Sequence, residues 1–271
     1  MSGVTETPNG TSIEATTTAT GERRFRGLRH YNLVAAAVHA LQAIAVLALS
    51  NGFTLPVTAS YLQGPPGTPS AQPTTLFEIR VAWGVAAFLA LSALAHLVVA
   101  SPTFFPRYVA GLRRHRNIFR WVEYSISASI MIVLIAQIVG ISDVTALVAI
   151  FGTNLSMILF GWLQEHYEEP GGGGWLPFTF GCIAGIVPWI AITIYLLTPG
   201  SANPVEPPGF VYGIFVSLFI LFNIFALNQW LQYRRVGRWS DYLVGERAYI
   251  TLSLVAKSLL AWQVFAGTLA S

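Results

Sequence analysis

The chain has 271 residues, 54% of them hydrophobic and 10% charged, with a mean hydropathy of +0.59. A water-facing domain carries about 25% charged residues, so this composition excludes an ordinary soluble enzyme and fits one domain embedded in a bilayer. The net charge of +3 is small and localised, which excludes a nucleic-acid footprint, and the single cysteine, Cys182, cannot close an intrachain disulfide.

Residues 1–28 read as a disordered tail, polar at first and then basic (Arg23, Arg24, Arg26), because they lack the apolar surface to fold alone. The basic residues come late and lead into a full-length apolar run, so no cleavable signal is expected. The rest, 29–271, reads as an all-α seven-helix membrane domain. Its spans fall at 31–50, 77–100, 117–140, 144–163, 175–197, 209–232 and 242–268, each near the roughly 20 residues that cross a bilayer. Between the first two lies a Pro-rich segment from Asn51 to Leu76, long enough to predict a small ribbon or lid. The short turn Gly140–Asp143 makes spans three and four antiparallel neighbours. No internal repeat of the transporter kind is visible.

Thirteen of the fifteen Lys and Arg residues flank the start of span one, the second-to-third connection or the sixth-to-seventh connection, all on one side of a seven-span bundle. The positive-inside rule makes that side cytoplasmic, with the C-terminus outside. The exceptions are Arg80 and the only lysine, Lys257.

Two ionisable residues stand inside apolar spans: Lys257 in SLVAKSLLAW and Glu123 in RWVEYSISAS. A charge at the bilayer centre costs at least about 2.5–3.5 kcal/mol, so each needs a partner, and each is the other's obvious one. The pair reads either as a structural salt bridge between spans three and seven, or as a reactive site. Desolvation favours the neutral amine, a nucleophile able to condense with an aldehyde. The product, once protonated, would need Glu123 as its counterion. Ser253, four residues before Lys257, shares its helix face; Arg120, Glu123 and Ser127 form one polar stripe on span three.

At these residues the chain resembles the microbial rhodopsins, most closely the heliorhodopsin branch, through SLVAKSLLAWQVF, RWVEYSIS and the expected cytoplasmic N-terminus. The resemblance implies all-trans retinal on Lys257 through a protonated Schiff base, with Glu123 as sole counterion. Ser253 stands where ordinary pumps carry an aspartate. Leu134, eleven residues after Glu123, occupies the place of their proton donor. The family also implies a hydrated, proton-accepting cavity lined by His39, Gln42, Ser92 and His96. The chromophore pocket is expected from Tyr124, Ser127, Asn154, Met157, Gly161, Phe222, Asn223, Gln229 and Trp262.

Three function classes follow: a photoreceptor that signals without turning over a substrate, a light-driven pump or channel with an atypical path, and a transporter or receptor that never binds retinal, with Lys257 and Glu123 as a structural pair. The absent donor favours the first. Its expected partners are retinal, the lipid bilayer, a second copy in a homodimer, and an unidentified cytoplasmic partner. That partner would dock on the Arg-rich second-to-third connection and the Glu165, Glu168 and Glu169 cluster. No metal is expected, because His30, His39, His96, His115 and His166 are scattered.

Overall fold

The computed structural model describes residues 9–69, 72–197 and 206–270, with side chains from residue 21 onward. Seven helices among these are long and apolar enough to cross a membrane. They are α1 (Asn9–Leu49), α2 (Val81–Ala100), α4 (Ile118–Ile138), α5 (Val144–Tyr167), α6 (Leu176–Leu197), α7 (Gly209–Tyr233) and α8 (Tyr242–Val264). A π-turn, Phe265–Leu269, extends the last. The bundle is inside-out by soluble standards: Leu41, Ile183, Ile194 and Leu197 are all more than half exposed, as lipid-facing side chains should be.

Helix α1 runs back through much of the segment expected to be a tail; residues 1–8 of that segment lie outside the described residues. Specific contacts hold its charged turns. Leu28 is fully buried, Arg24 pairs with Asp241, and Arg29 Nε donates to the Ala100 carbonyl at 2.8 Å. These bonds tie the middle turns of α1 to the end of α2 and the N-cap of α8, all at the Arg-rich end of the bundle.

At the other end the Pro-rich segment forms the expected ribbon. Strands β1 (Thr54–Ala59) and β2 (Thr74–Arg80) pair antiparallel, with a bulge at Val57/Thr58. The second strand runs straight into α2, so span two begins at Val81 and not at 77. The run TTLFEIR, rich in β-branched and aromatic residues, favours the pleated form up to that point. Thr58 N donates to the Ser142 carbonyl at 2.8 Å and Asn51 N to the Leu269 carbonyl at 3.0 Å, which pins the ribbon against the bundle.

A short helix, α3 (Phe105–Arg113), fills the connection between spans two and three and was not foreseen as a helix. Its signals are a proline in the first turn and the i, i+4 pair Tyr108 and Leu112, both buried, with Arg107 and Arg113 facing outward. Burial, and then the neighbouring Glu246 carboxylate, push the Tyr108 hydroxyl well above the usual phenol range.

Asp143 caps α5. Its carboxylate accepts from Thr145 N at 2.9 Å, from Ala146 N at 3.2 Å and from the Thr145 hydroxyl. These bonds, the Thr145 hydroxyl foremost, hold the carboxyl below its ordinary value of 3.8. A depressed folded-state value means stabilisation that is present above the ordinary value and lost as pH falls through the lowered one. Asp143→Ala should therefore lower Tm at pH 7 and match the parent in strong acid; equal Tm values at both pH values would show that the cap contributes nothing.

Candidate functional site

Helix α8 carries Lys257 to the middle of the bundle, where it is 3% exposed, opposite Glu123 of α4, which is 7% exposed. Lys257 Nζ donates to Glu123 Oε1 at 2.7 Å and to Ser253 Oγ at 2.9 Å. The serine is in reach because four residues is one helical turn. From α2, Ser92 Oγ donates to the same Glu123 oxygen at 2.6 Å. The face of Tyr124 lies 5.0 Å from the ammonium. The ammonium and Glu123 Oε1 are thus each held by neighbours on another turn or helix, as a buried ion pair requires.

On the other side of Lys257 a cavity of about 180 Å³ extends between α4, α5, α6, α7 and α8. Its walls are mainly apolar and aromatic: Trp121 and Tyr124, Trp189, Phe222 and Phe225, and Tyr249, with Lys257 and Ser253 at one end. Two glycines set its width. A Cβ on Gly161 would stand 2.6 Å from the Trp121 ring, and one on Gly185 would stand 2.5 Å from the Met157 sulfur. Such a slot suits a long, flat, apolar ligand whose reactive end meets an amine.

Of the expected pocket residues, the structure places Tyr124, Ser127, Met157, Gly161, Phe222, Asn223 and Gln229 on this cavity, with Lys257 and Ser253. Two do not line it. Asn154 is buried between α4 and α5, where its Nδ2 donates to Ser129 Oγ at 3.1 Å. Trp262 is 39% exposed and packs edge-on against Phe265. Five residues from Lys257 is about 140° around the helix, so it points to the bilayer side. The contribution of α6 (Phe178, Gly181, Cys182, Gly185, Ile186 and Trp189) has no sequence signal, because its wall is small and apolar residues without a charged marker.

The four residues expected to share a hydrated cavity are split. His39 and His96 stack at 5.8 Å between ring centroids, and His96 Nδ1 bonds Asn32 Oδ1 at 2.7 Å. His39 is fully buried, and neither ring nitrogen has a hydrogen-bond partner. Gln42 turns to Ser258, donating at 2.9 Å, and Ser92 serves Glu123. Only His96 of the four lines a second cavity, of about 30 Å³, with Asn32, Tyr108, Asn117, Arg120, Glu123 and Glu246 on its walls.

Beyond that small cavity lies a charged cluster that the sequence reading missed. Arg120, read there as part of the basic edge, is 5% exposed. Its NH2 donates to Glu165 Oε2 at 2.5 Å and its NH1 to Glu246 Oε2. Its guanidinium also lies over Tyr249, 4.0 Å from the ring centroid. Glu165 lies past the expected end of span four at 163, but α5 continues to Tyr167 and carries it inward, 4% exposed. It therefore leaves the proposed acidic docking surface to Glu168 and Glu169. For Glu246 the sequence does carry a signal: eleven residues is about three turns, which puts it on the face of Lys257.

A family model described as Heliorhodopsin matches residues 28–269. No curated protein matches the sequence. Among solved structures, the chain is similar to a light-driven proton pump of Leptosphaeria maculans. That match has 13% identity and a TM-score of 0.60, and covers 88% of this chain and 94% of that one. It is similar also to the transmembrane domain of the rhodopsin phosphodiesterase of Salpingoeca rosetta, at 8% identity and a TM-score of 0.56, covering 94% and 88%. At such identities these two structures show a shared fold.

The central pair has a measurable consequence in the protein without ligand. Removing one partner of a buried ion pair costs about 3–5 kcal/mol. Lys257→Met alone should lower unfolding stability by that order, and Lys257→Met with Glu123→Gln should recover most of it. Thermal unfolding in detergent checks this; equal losses in the single and double variants would mean that the two groups do not depend on each other.

Proposed function

The chain belongs to the heliorhodopsin family, and from that premise we propose that it holds all-trans retinal covalently on Lys257 and reports light absorption as a signal, without pumping ions. The family and fold make it a retinal-binding membrane rhodopsin. One observation carries the finer reading: the chain's only lysine ends a 180 Å³ aromatic slot and is bonded at 2.7 Å to a single carboxylate.

The residues fit the group. Rings of Trp121, Trp189 and Phe222 border the slot, and the two tight glycine positions keep it narrow. Retinal, when bound, supplies visible absorption and a light-driven change of shape. Lys257 Nζ would hold the group by condensing with its aldehyde, the aldehyde oxygen leaving as water. Glu123 balances the proton that this nitrogen then carries, while Ser253 fixes its direction and Ser92 holds the carboxylate in place. Tyr124 adds a ring face to the same cation.

Signalling is favoured over pumping by Ser253 and Leu134, which leave neither a second carboxylate beside the nitrogen nor a donor along α4. The Arg-rich end is the cytoplasmic face by the positive-inside rule. Arg107, Arg113 and Arg114, carried there by α3 and its C-cap, offer a docking surface for a signalling partner. A homodimer completes the proposed assembly. The pumping alternative draws on the fold shared with the Leptosphaeria pump, and predicts sustained photocurrent from illuminated liposomes where signalling predicts none.

The first test is a visible spectrum of the purified protein with all-trans retinal beside Lys257→Ala. A visible band in the parent that the variant lacks is expected; absence from both would overturn the assignment. Glu123→Gln removes the counterion, so its band should lie at longer wavelength at neutral pH, as acid should also shift the parent. A spectrum unchanged from the parent would assign the counterion elsewhere.

A further inference from the structure

The Arg120 cluster does not balance in charge. Two carboxyl groups, Glu165 and Glu246, meet one guanidinium, and all three side chains are at most 3% exposed. Among the described residues that bond to either carboxylate, Arg120 is the only cation. The others are neutral donors: Tyr108 from α3, Asn117 ahead of α4, Trp121 of α4 and Tyr242 of α8. Tyr249 packs against the guanidinium from α8, and His115 stacks on Tyr242 from outside. An uncompensated carboxylate in such surroundings is expensive, and the low-cost state is the neutral acid.

The two carboxyls also differ in outlook. Glu165 accepts from four donors, three of them with fixed N–H groups: the Asn117 backbone, the Trp121 indole and Arg120. It is locked as an acceptor and does not face the small cavity. Glu246 accepts from two fixed N–H groups, Arg120 NH1 on Oε2 and Asn117 Nδ2 on Oε1; its third donor, the Tyr108 hydroxyl at 2.8 Å, can turn to accept, and Glu246 lines the cavity that also reaches His96 and Glu123. A space of about 30 Å³ has room for about two waters, with Asn32, Asn117 and Tyr108 as partners on its walls.

We infer that the Arg120–Glu165–Glu246 cluster stores one proton, on Glu246, and exchanges it with the Glu123–Lys257 pair through that cavity. The proton leaves Glu246 as the carboxylate forms, crosses on cavity water beside His96 and ends at the pair. The carboxylate left behind keeps its bonds from Tyr108, Asn117 and Arg120 until a proton from the Arg-rich face replaces the one lost. Glu246 is thus a proton reservoir in a bundle whose α4 has leucine at the usual donor position. Storage is independent of retinal; exchange rests on the retinal assignment above.

The two halves are tested separately. Infrared spectra of the retinal-free protein at neutral pH should show one buried carboxylic C=O stretch, slow to shift in heavy water. Glu246→Gln, which replaces a neutral acid with a neutral amide, should lose that band and keep a Tm within a few degrees of the parent. A parent without the band, a band that survives in Glu246→Gln, or a variant that unfolds while its parent shows no band would each overturn storage. In the retinal-loaded parent, return of the proton after a flash should be nearly independent of bulk pH. In Glu246→Gln it should slow about tenfold per pH unit, as a step first order in bulk protons must. Equal pH dependence in both proteins would overturn exchange. A parent without a visible band would overturn the retinal assignment and the exchange built on it, while leaving the infrared result to decide storage.

Discussion

Charge inside a bilayer has no water to fall back on, and the Lys257–Glu123 pair is where this chain accepts that constraint. An ammonium and a carboxylate 2.7 Å apart attract strongly at low dielectric, yet both have lost their hydration, and the attraction suffices only when the remaining lone pairs and protons are bonded too. Ser253 and Ser92 supply hydrogen bonds to the pair, and the Tyr124 ring face lies by the ammonium, from three helices. The packing of α2, α4 and α8 around the site therefore has a chemical purpose as well as a steric one. Spacing those helices apart would leave a bare charge in hydrocarbon.

The same logic acts again at the Arg-rich end with different parts. Arg120, Glu165 and Glu246 join α4, α5 and α8, and Tyr108 brings in α3. The two polar centres lie on the same faces of α4 and α8, about one turn apart along α4 and about three turns apart along α8. A small cavity touches both. Between them the polar groups of the core form a connected set, whereas the opposite half of the bundle is packed with apolar side chains such as Leu89, Ile132, Ile135 and Leu260. The molecule is asymmetric along the membrane normal: ion pairs and hydrogen bonds order one half, dispersion and close packing the other.

The large cavity answers a different demand. Its glycines stand against Trp121 and Met157 with no room for a methyl group, so the helices there approach closely around the space and not across it. Aromatic walls give area without flexible side chains to order, which keeps the slot open in one shape. The Lys257 amine stands at one end of it, so ligand placement and charge compensation are set by the same side chain.

What the sequence determined by itself follows from solvent. Runs of about 20 apolar residues have to be spanning helices, and a lone lysine and a glutamate inside such runs have to find each other. Composition, spans and the Lys257–Glu123–Ser253 set were legible for that reason, as was the ribbon in the Pro-rich segment. Tertiary structure alone decided the rest. Arg120 and Glu165 sit near helix ends, where a residue can face water or the core with equal ease by sequence. Their burial depends on α5 extending to Tyr167 and on Glu246 arriving from α8. Trp262 and Asn154 look like pocket residues by type, but rotation about the helix axis and a bond to Ser129 take them elsewhere. Residue type limits what a side chain can do in a membrane; which neighbours complete its hydrogen bonds is fixed only when all seven helices are in place.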